Sequence, residues 1–354
     1  MDIAIIGAGG SVGRAIAQMI VSERLLECGQ RLVLAGNPDG PSARSLFGLT
    51  ADLMDAYAEI YPQIDVVLAP EDVQGDLIVM AGGATIPPDQ KIENISRDFL
   101  ATNNFPIFER YASALARHGH GNEIVICVSN PNELAVAVFA KHLGRQRVIG
   151  MGAFLDSWRF RAEIALDLGI RRQKIHGFMV GEHGANIVPL WSGVHIYGYR
   201  GKELQDALAS IRRGHRTAHF SADIAQAREK LTGLIAQGQV RQAYAAIEPY
   251  PPDMRAALKS YVTHFSGSKT VMGTAKTTLE LIRTITLGSD ALISGQVKVQ
   301  GEFHGIHSTI GVPFVVGNQG VARIIELSLT EEEKELLVQC AHNVQQKIDA
   351  VMKS

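Results

Sequence analysis

A chain of 354 residues exceeds the size at which one hydrophobic core usually stops growing, so two domains, or one elaborated domain, are expected. Hydrophobic residues make up 46% and charged residues 20%, with a formal net charge of -2, a balance that lacks the basic excess nucleic-acid binding calls for. Three cysteines, Cys28, Cys127 and Cys340, lie far apart and show none of the close spacings of metal sites, which points to a reducing, cytoplasmic setting and no metal.

The opening MDIAIIGAGGSVGRAIAQMIV is apolar, but its acidic second residue, early glycines and missing basic flank make it a strand running into a helix, not a secretory leader. No unbroken apolar stretch of about 18 residues follows, so no membrane partner is expected. Short apolar runs at 3–6, 32–35, 66–68, 77–81 and 124–128 alternate with helical periodicity, the βα rhythm of a buried parallel sheet. Val12, Ala15, Ile16, Met19 and Ile20 form the apolar stripe of a helix lying on that sheet.

From about residue 150 the pattern changes to helices mixed with strands, the clearest strands at 194–199 and 297–303. The stretch 245–255, with three prolines, is the most loop-like. Thr330 followed by Glu333 is a capping box that opens a last helix. The expected fold class is α/β: a dinucleotide-binding domain of Rossmann type with a parallel sheet over 1–150, and an α+β catalytic and substrate domain over 151–354.

The dinucleotide reading rests on IIGAGGSVG, where glycines at 7, 9, 10 and 13 stand between the first strand and its helix. Such a turn lets phosphate oxygens approach bare backbone at a helix N-terminus. Gly7, Gly10, Ser11, Val12 and Gly13 are therefore expected to hold NAD or NADP, with Gly82 and Val128 at the ends of neighbouring strands. NAD enzymes commonly end the second strand with an acid that binds the ribose hydroxyls. Here Gly36 and Asn37 occupy that place, with Ser42 and Arg44 close behind, so the reading leans to NADP, although Asp39 could restore NAD.

The helical stretch AFLDSWRFRAEIALDLG carries Asp156 and Arg159 three residues apart on one face. Alone, that is a surface ion pair. Beside His183 in GEHG it gains meaning, because a base that takes a proton from an alcohol needs its other ring nitrogen held by an acceptor. A guanidinium in turn matches a carboxylate with two parallel hydrogen bonds.

GAGGSVG at 7–13, VSNP at 128–131, LDSWRFR at 155–161, and GEHG with VPLWS at 181–192, in that order and spacing, resemble the lactate/malate dehydrogenase family along the whole chain. The resemblance implies a proton-relay pair in Asp156 and His183, a substrate-carboxylate clamp in Arg159, and a mobile-loop arginine in Arg97 that polarises the reacting carbonyl. It implies that Asn130 positions the substrate oxygen near the nicotinamide, that Thr270 lines the substrate pocket, and that the protein is a homodimer or homotetramer. The apolar positions of 45–57 would suit an interface helix.

Two departures bear on substrate. The loop 81–99 is long and has no arginine before Arg97, so Gln90 or Lys91 is expected at the substrate's distal end. The stretch 236–266 is extended and would enlarge or cover the site. The expected reaction is hydride transfer between NAD(P) and a 2-hydroxy acid/2-oxo acid pair; malate dehydrogenase proper and a catalytically silent nucleotide-binding protein are the alternatives. A short-chain reductase would want Tyr-x-x-x-Lys, which is missing, and a metal-dependent glycosidase is opposed by Arg159. The histidines of HGHG at 118–121 and HGIH at 304–307, with His215 and His219, read as structural.

Overall fold

The computed structural model describes residues 1–40, 43–59, 62–84, 97–184 and 186–353, with backbone only at 97 and 98. The five apolar runs of the first half become β1 (Ile3–Ile6), β2 (Arg31–Ala35), β3 (Gln63–Val67), β4 (Leu77–Met80) and β5 (Ile124–Cys127), and β6 (Val148–Gly150) follows. They pair in parallel in the order β3-β2-β1-β4-β5-β6. Every residue of β1, β4 and β5 is buried, which is why IAII, LIVM and IVIC are continuously apolar instead of alternating. Both faces are covered by α1 (Ser11–Ser22), α2 (Ala43–Ala56), α3 (Arg97–His118) and α4 (Asn132–Leu143).

The second half comprises α5 (Gly152–Leu168), β7 (Ile175–Gly181), β8 (Ile187–Ile196), α6 (Gly201–Arg212), α7 (Phe220–Ala236), α8 (Val240–Ile247), α9 (Pro252–Phe265), α10 (Val271–Leu287), β9 (Ala291–Gln300), β10 (His307–Gly317), β11 (Gly320–Ile324) and α11 (Glu331–Met352). The sheet runs on antiparallel from β6 through β9, β10, β7 and β8, with β11 on β10, so the described residues share one eleven-stranded sheet. In α1, Ile16 and Ile20 are fully buried while Val12, Ala15 and Met19 are half-buried, because the helix also packs against α10.

Three expectations need correction. The strand expected at 194–199 is the tail of β8, which starts at Ile187 and ends at Ile196. The strand expected at 297–303 is the second half of β9, which stops at Gln300 because Gly301 and Gly305, at φ +102° and +70°, turn the chain into β10. The stretch 245–255 is mostly helical: Pro252 opens α9 at a position where a missing N–H is harmless. The capping box at Thr330 is present, with Glu333 N donating to the Thr330 hydroxyl at 3.3 Å. Among the described residues, no helix is long and apolar enough to cross a membrane.

Helix α9 is fastened to α5 by charge. Arg255 is only 1% exposed, and its guanidinium reaches Glu163 Oε2 at 2.7 Å, Asp167 Oδ1 at 2.7 Å and the Tyr250 carbonyl at 2.9 Å. Asp253, two residues earlier, is also buried and accepts Trp191 Nε1–H at 2.8 Å; burial pushes its carboxyl above the ordinary value despite that bond. Replacing one partner of such a buried network leaves the others desolvated and unpaired. Arg255→Met is therefore expected to lower unfolding free energy in urea by about 3 kcal/mol, with Lys259 and Arg213 offering the acids only partial compensation.

Candidate active site

The carboxyl ends of β1, β4 and β5 line one edge of the parallel sheet, and β1 has β2 on one side and β4 on the other, the crevice where α/β sheets bind ligands. Gly7, at φ +83°, brings the first loop so close to the next that a Cβ there would lie 2.5 Å from Gly82 Cα. A Cβ at Gly13 would lie 2.4 Å from Gly7 O. Bare backbone is thus required where the loop meets α1, whose first turn holds no acidic residue. Gly10 is the N-cap and donates its N–H to Gly7 O at 3.0 Å, while Ser11 is exposed and Val12 half-buried. The helix end and the glycine cradle fit a dinucleotide pyrophosphate.

Around this crevice, Val128 N–H donates to Met80 O at 2.9 Å, and the Ser129 hydroxyl reaches Gly82 O at 2.6 Å. Gly36 is buried at the end of β2, and Asn37 beyond it is exposed. A Cβ at Gly36 would lie 2.6 Å from Leu46 Cδ1, so a side chain at 36 would point into core instead of toward a ribose. Asn37 is the residue at this strand end with room to carry a carboxylate.

Asp156, His183 and Arg159 come together. His183 Nδ1 lies 2.6 Å from Asp156 Oδ2, and Arg159 Nη1 donates to Asp156 Oδ1 at 3.1 Å. Burial alone would push the Asp156 carboxyl up, but the charges and hydrogen bonds of His183 and Arg159 reverse this and hold it below its ordinary value. The carboxylate therefore stays ionised at neutral pH as an acceptor for both. Arg159 keeps donors of its planar fork beyond that one bond.

Asn130 is exposed at the end of β5, and its carbonyl accepts Asn104 Nδ2–H at 2.6 Å. The Asn104 amide also takes Ala84 N–H at 2.6 Å, so α3 ties the start of the long loop to the Asn130 turn. Gln90 and Lys91 lie outside the described residues, as do Ser42 and the Arg97 side chain; Arg97 opens α3 by its backbone. Thr270 stands at the N-cap of α10, whose first turn approaches α5 at Gly273, 3.9 Å from Leu155 for a Cβ placed there.

The glycines on either side of His183 are required by the backbone. Gly181 and Gly184 adopt φ +84° and +78°, and a Cβ at Gly181 would meet Asn186 O at 2.9 Å and Cys340 Sγ at 3.1 Å. The loop is gripped from α11: Glu182 N–H donates to Cys340 Sγ and the thiol donates to Asn186 O, both at 3.2 Å. Burial pushes the Cys340 thiol up to about 12, so it remains a thiol. Arg228 of α7 adds a bond from Nη2 to Gly184 O at 2.7 Å.

Three further residues serve the site and escaped the sequence reading: Asn104, Glu133, whose carboxylate accepts His183 N–H at 2.7 Å, and Gly152. A signal existed for Glu133, a lone acid at the start of the apolar run LAVAVFA. None existed for Gly152, since the contact is made across the fold. Among the described residues, no three His, Cys, Asp or Glu side chains gather as a metal site. His120 pairs with Asp76, His304 lies 2.9 Å from Leu327 O, and His215 pairs with Asp223.

Residues 1–150 match the family model of the lactate/malate dehydrogenase NAD binding domain, and residues 210–354 match that of the lactate/malate dehydrogenase alpha/beta C-terminal domain. The chain belongs to the lactate/malate dehydrogenase family. It is 27% identical over 360 residues to a malate dehydrogenase of Sorangium cellulosum, covering 99% of this chain and 98% of that one. It is 28% identical over 342 residues to an L-2-hydroxycarboxylate dehydrogenase (NAD(P)(+)) of Methanocaldococcus jannaschii, covering 94% and 93%. Its fold resembles the crystal structure of Cryptosporidium parvum malate dehydrogenase, with a TM-score of 0.76 at 22% identity over 100% of this chain and 99% of that chain. The dehydrogenase is thus an oxidoreductase of malate/lactate type with an NAD-binding domain.

The geometry makes one position decisive for this chemistry. A Cβ at Gly152 would lie 2.5 Å from His183 Cγ, whereas nonbonded carbons sit about 3.5–4.0 Å apart. Gly152→Ala must therefore move the imidazole by about 1 Å, and turnover is expected to fall about 100-fold in steady-state assays with cofactor binding retained.

Proposed function

We propose that the dehydrogenase interconverts a 2-hydroxy acid and its 2-oxo acid, with His183 as the proton-transfer group and Arg159 as the carboxylate clamp. The observation that carries this reading is the shared carboxylate of Asp156, bonded to both. Bound NAD(P) supplies the hydride acceptor or donor. His183 takes the alcohol proton at Nε2 while Asp156 holds Nδ1 and stabilises the imidazolium. Arg159 fixes which face of the carbon is presented. Asn130 and Arg97 take the substrate oxygen, Arg97 meeting negative charge that grows there. Thr270 and Gln90 border the substrate, and a division at residue 150 separates the cofactor half from the catalytic half.

For the cofactor, the reading leans to NADP. In support, no carboxylate ends β2, and two arginines near it, Arg44 exposed at the start of α2 and Arg14 with Nη2 3.3 Å from Ser45 Oγ, would suit a 2′-phosphate. For the substrate, the reading favours a 2-oxo acid bulkier or more polar than pyruvate or oxaloacetate. The motive is the sequence itself: the loop 81–99 is long with no arginine before Arg97, and the stretch 236–266 is extended. The deciding experiment is a panel of 2-oxo acids assayed with NADH and NADPH. Best efficiency on oxaloacetate would reject the substrate reading in favour of malate dehydrogenase proper, and tight NADPH binding without turnover would favour a silent protein. Asn37→Asp is expected to shift the kcat/KM ratio toward NADH by about tenfold, by repulsion of the 2′-phosphate; an unchanged ratio counts against the NADP reading.

A cytoplasmic homo-oligomer completes the proposal. Phe47 and Met54 on α2 are 58% and 38% exposed and fall seven residues apart on one face, which supports self-association through that helix. Sedimentation velocity is expected to give a dimer or tetramer that Phe47→Glu weakens toward monomer.

A further inference from the structure

His183 stands in a turn between two glycines of positive φ, so its backbone is held by contacts from other elements. Asp156 fixes one ring nitrogen and Gly152 leaves space against the ring, but neither determines where the Cα of His183 sits. The neighbouring Glu182 N–H is met by the Cys340 sulfur, a weak acceptor. The His183 N–H is met by a carboxylate. Glu133 is 4% exposed, lies in the first turn of α4 where the helix dipole favours negative charge, and accepts that N–H through Oε1 at 2.7 Å. A desolvated carboxylate at the start of a largely apolar, buried helix is unfavourable unless strong donors meet it.

The same turn does two other things. Asn130, three residues earlier, is the proposed substrate-oxygen ligand, and its carbonyl is held by Asn104. Asn132 donates from Nδ2 to Cys127 O at 2.8 Å and accepts Gly152 N–H at 3.3 Å, joining the end of β5 to the start of α5. One short stretch, 130–133, therefore touches the substrate-oxygen position, the helix that carries Asp156 and Arg159, and the backbone of His183.

We infer that Glu133 is the positioning residue of His183, setting the imidazole in register with Asn130 through the hydrogen bond that its carboxylate accepts from the His183 N–H. This rests on His183 being the proton-transfer group, and the test separates the two. The full chain is prepared as His183→Asn, Glu133→Ala and Glu133→Gln, and each is measured for kcat, KM for the 2-oxo acid preferred in the panel, NADPH binding by fluorescence titration, and thermal unfolding.

Glu133→Ala is expected to lower kcat about 10- to 100-fold, as misplacement of a reacting group does, with the NADPH dissociation constant within about twofold of the parent. Glu133→Gln keeps an amide oxygen that can accept the same N–H, and it is expected to recover kcat to within about threefold of the parent. A primary deuterium isotope effect from 4-deuterated NADPH should rise in Glu133→Ala and return in Glu133→Gln. The inference is overturned if Glu133→Ala turns over like the parent while His183→Asn is inactive, or if Gln is as damaging as Ala. It is equally overturned if the loss in Glu133→Ala matches the fraction of protein that no longer binds NADPH. An active His183→Asn would instead remove the proton-transfer reading itself.

Discussion

The carboxylate of Asp156 is the constraint around which the candidate site is arranged. It is buried, it stays ionised, and each of its two oxygens is committed to a different partner, the His183 ring and the Arg159 guanidinium. Burying a charge is unfavourable unless both charge and hydrogen-bonding capacity are met, and here the two partners bond one oxygen each. One buried charge thereby fixes the spacing between His183 and Arg159, the proposed proton-transfer group and substrate-carboxylate clamp, which lie 24 residues apart in sequence.

That spacing is useful only if α5 itself is fixed. Its N-terminal end is joined to β9 by Ala153 N–H donating to Gln296 Oε1 at 3.0 Å, and to β7 by the Ser157 hydroxyl, which takes Met179 N–H at 2.9 Å. Its C-terminal half is fastened to α9 through Glu163 and Asp167. The cofactor side is fixed by a different means, the direct contact of bare backbone at Gly7, Gly13 and Gly82. Polar bonds orient the reacting groups, and missing side chains admit the dinucleotide.

Much of this was legible in the sequence because the signals are local. Fully buried parallel strands must be apolar throughout, so β1, β2, β4 and β5 could be read within a residue of their bounds, and the capping box at Thr330 marked α11. Asp156 and Arg159 could be paired because helical spacing places them on one face. The second half was less legible because its strands pair antiparallel around glycine turns whose positions depend on neighbours, as at Gly301. Pro252 looked like a breaker and is a helix opener, a distinction that depends on where the helix starts. Gly152, Glu133 and Asn104 act on partners 31, 50 and 20 or more residues away, which no periodicity records.

The grip of Cys340 on the His183 loop has a consequence for how the molecule becomes active. The bond from Glu182 to the sulfur spans 158 residues, and the return bond to Asn186 spans 154. Contacts so distant in sequence form late, because long loops must close before they are rewarded. The glycine cradle closes between residues 7 and 82, whereas the loop proposed to carry the proton is complete only once α11 has docked, so its order depends on contacts far more distant in sequence.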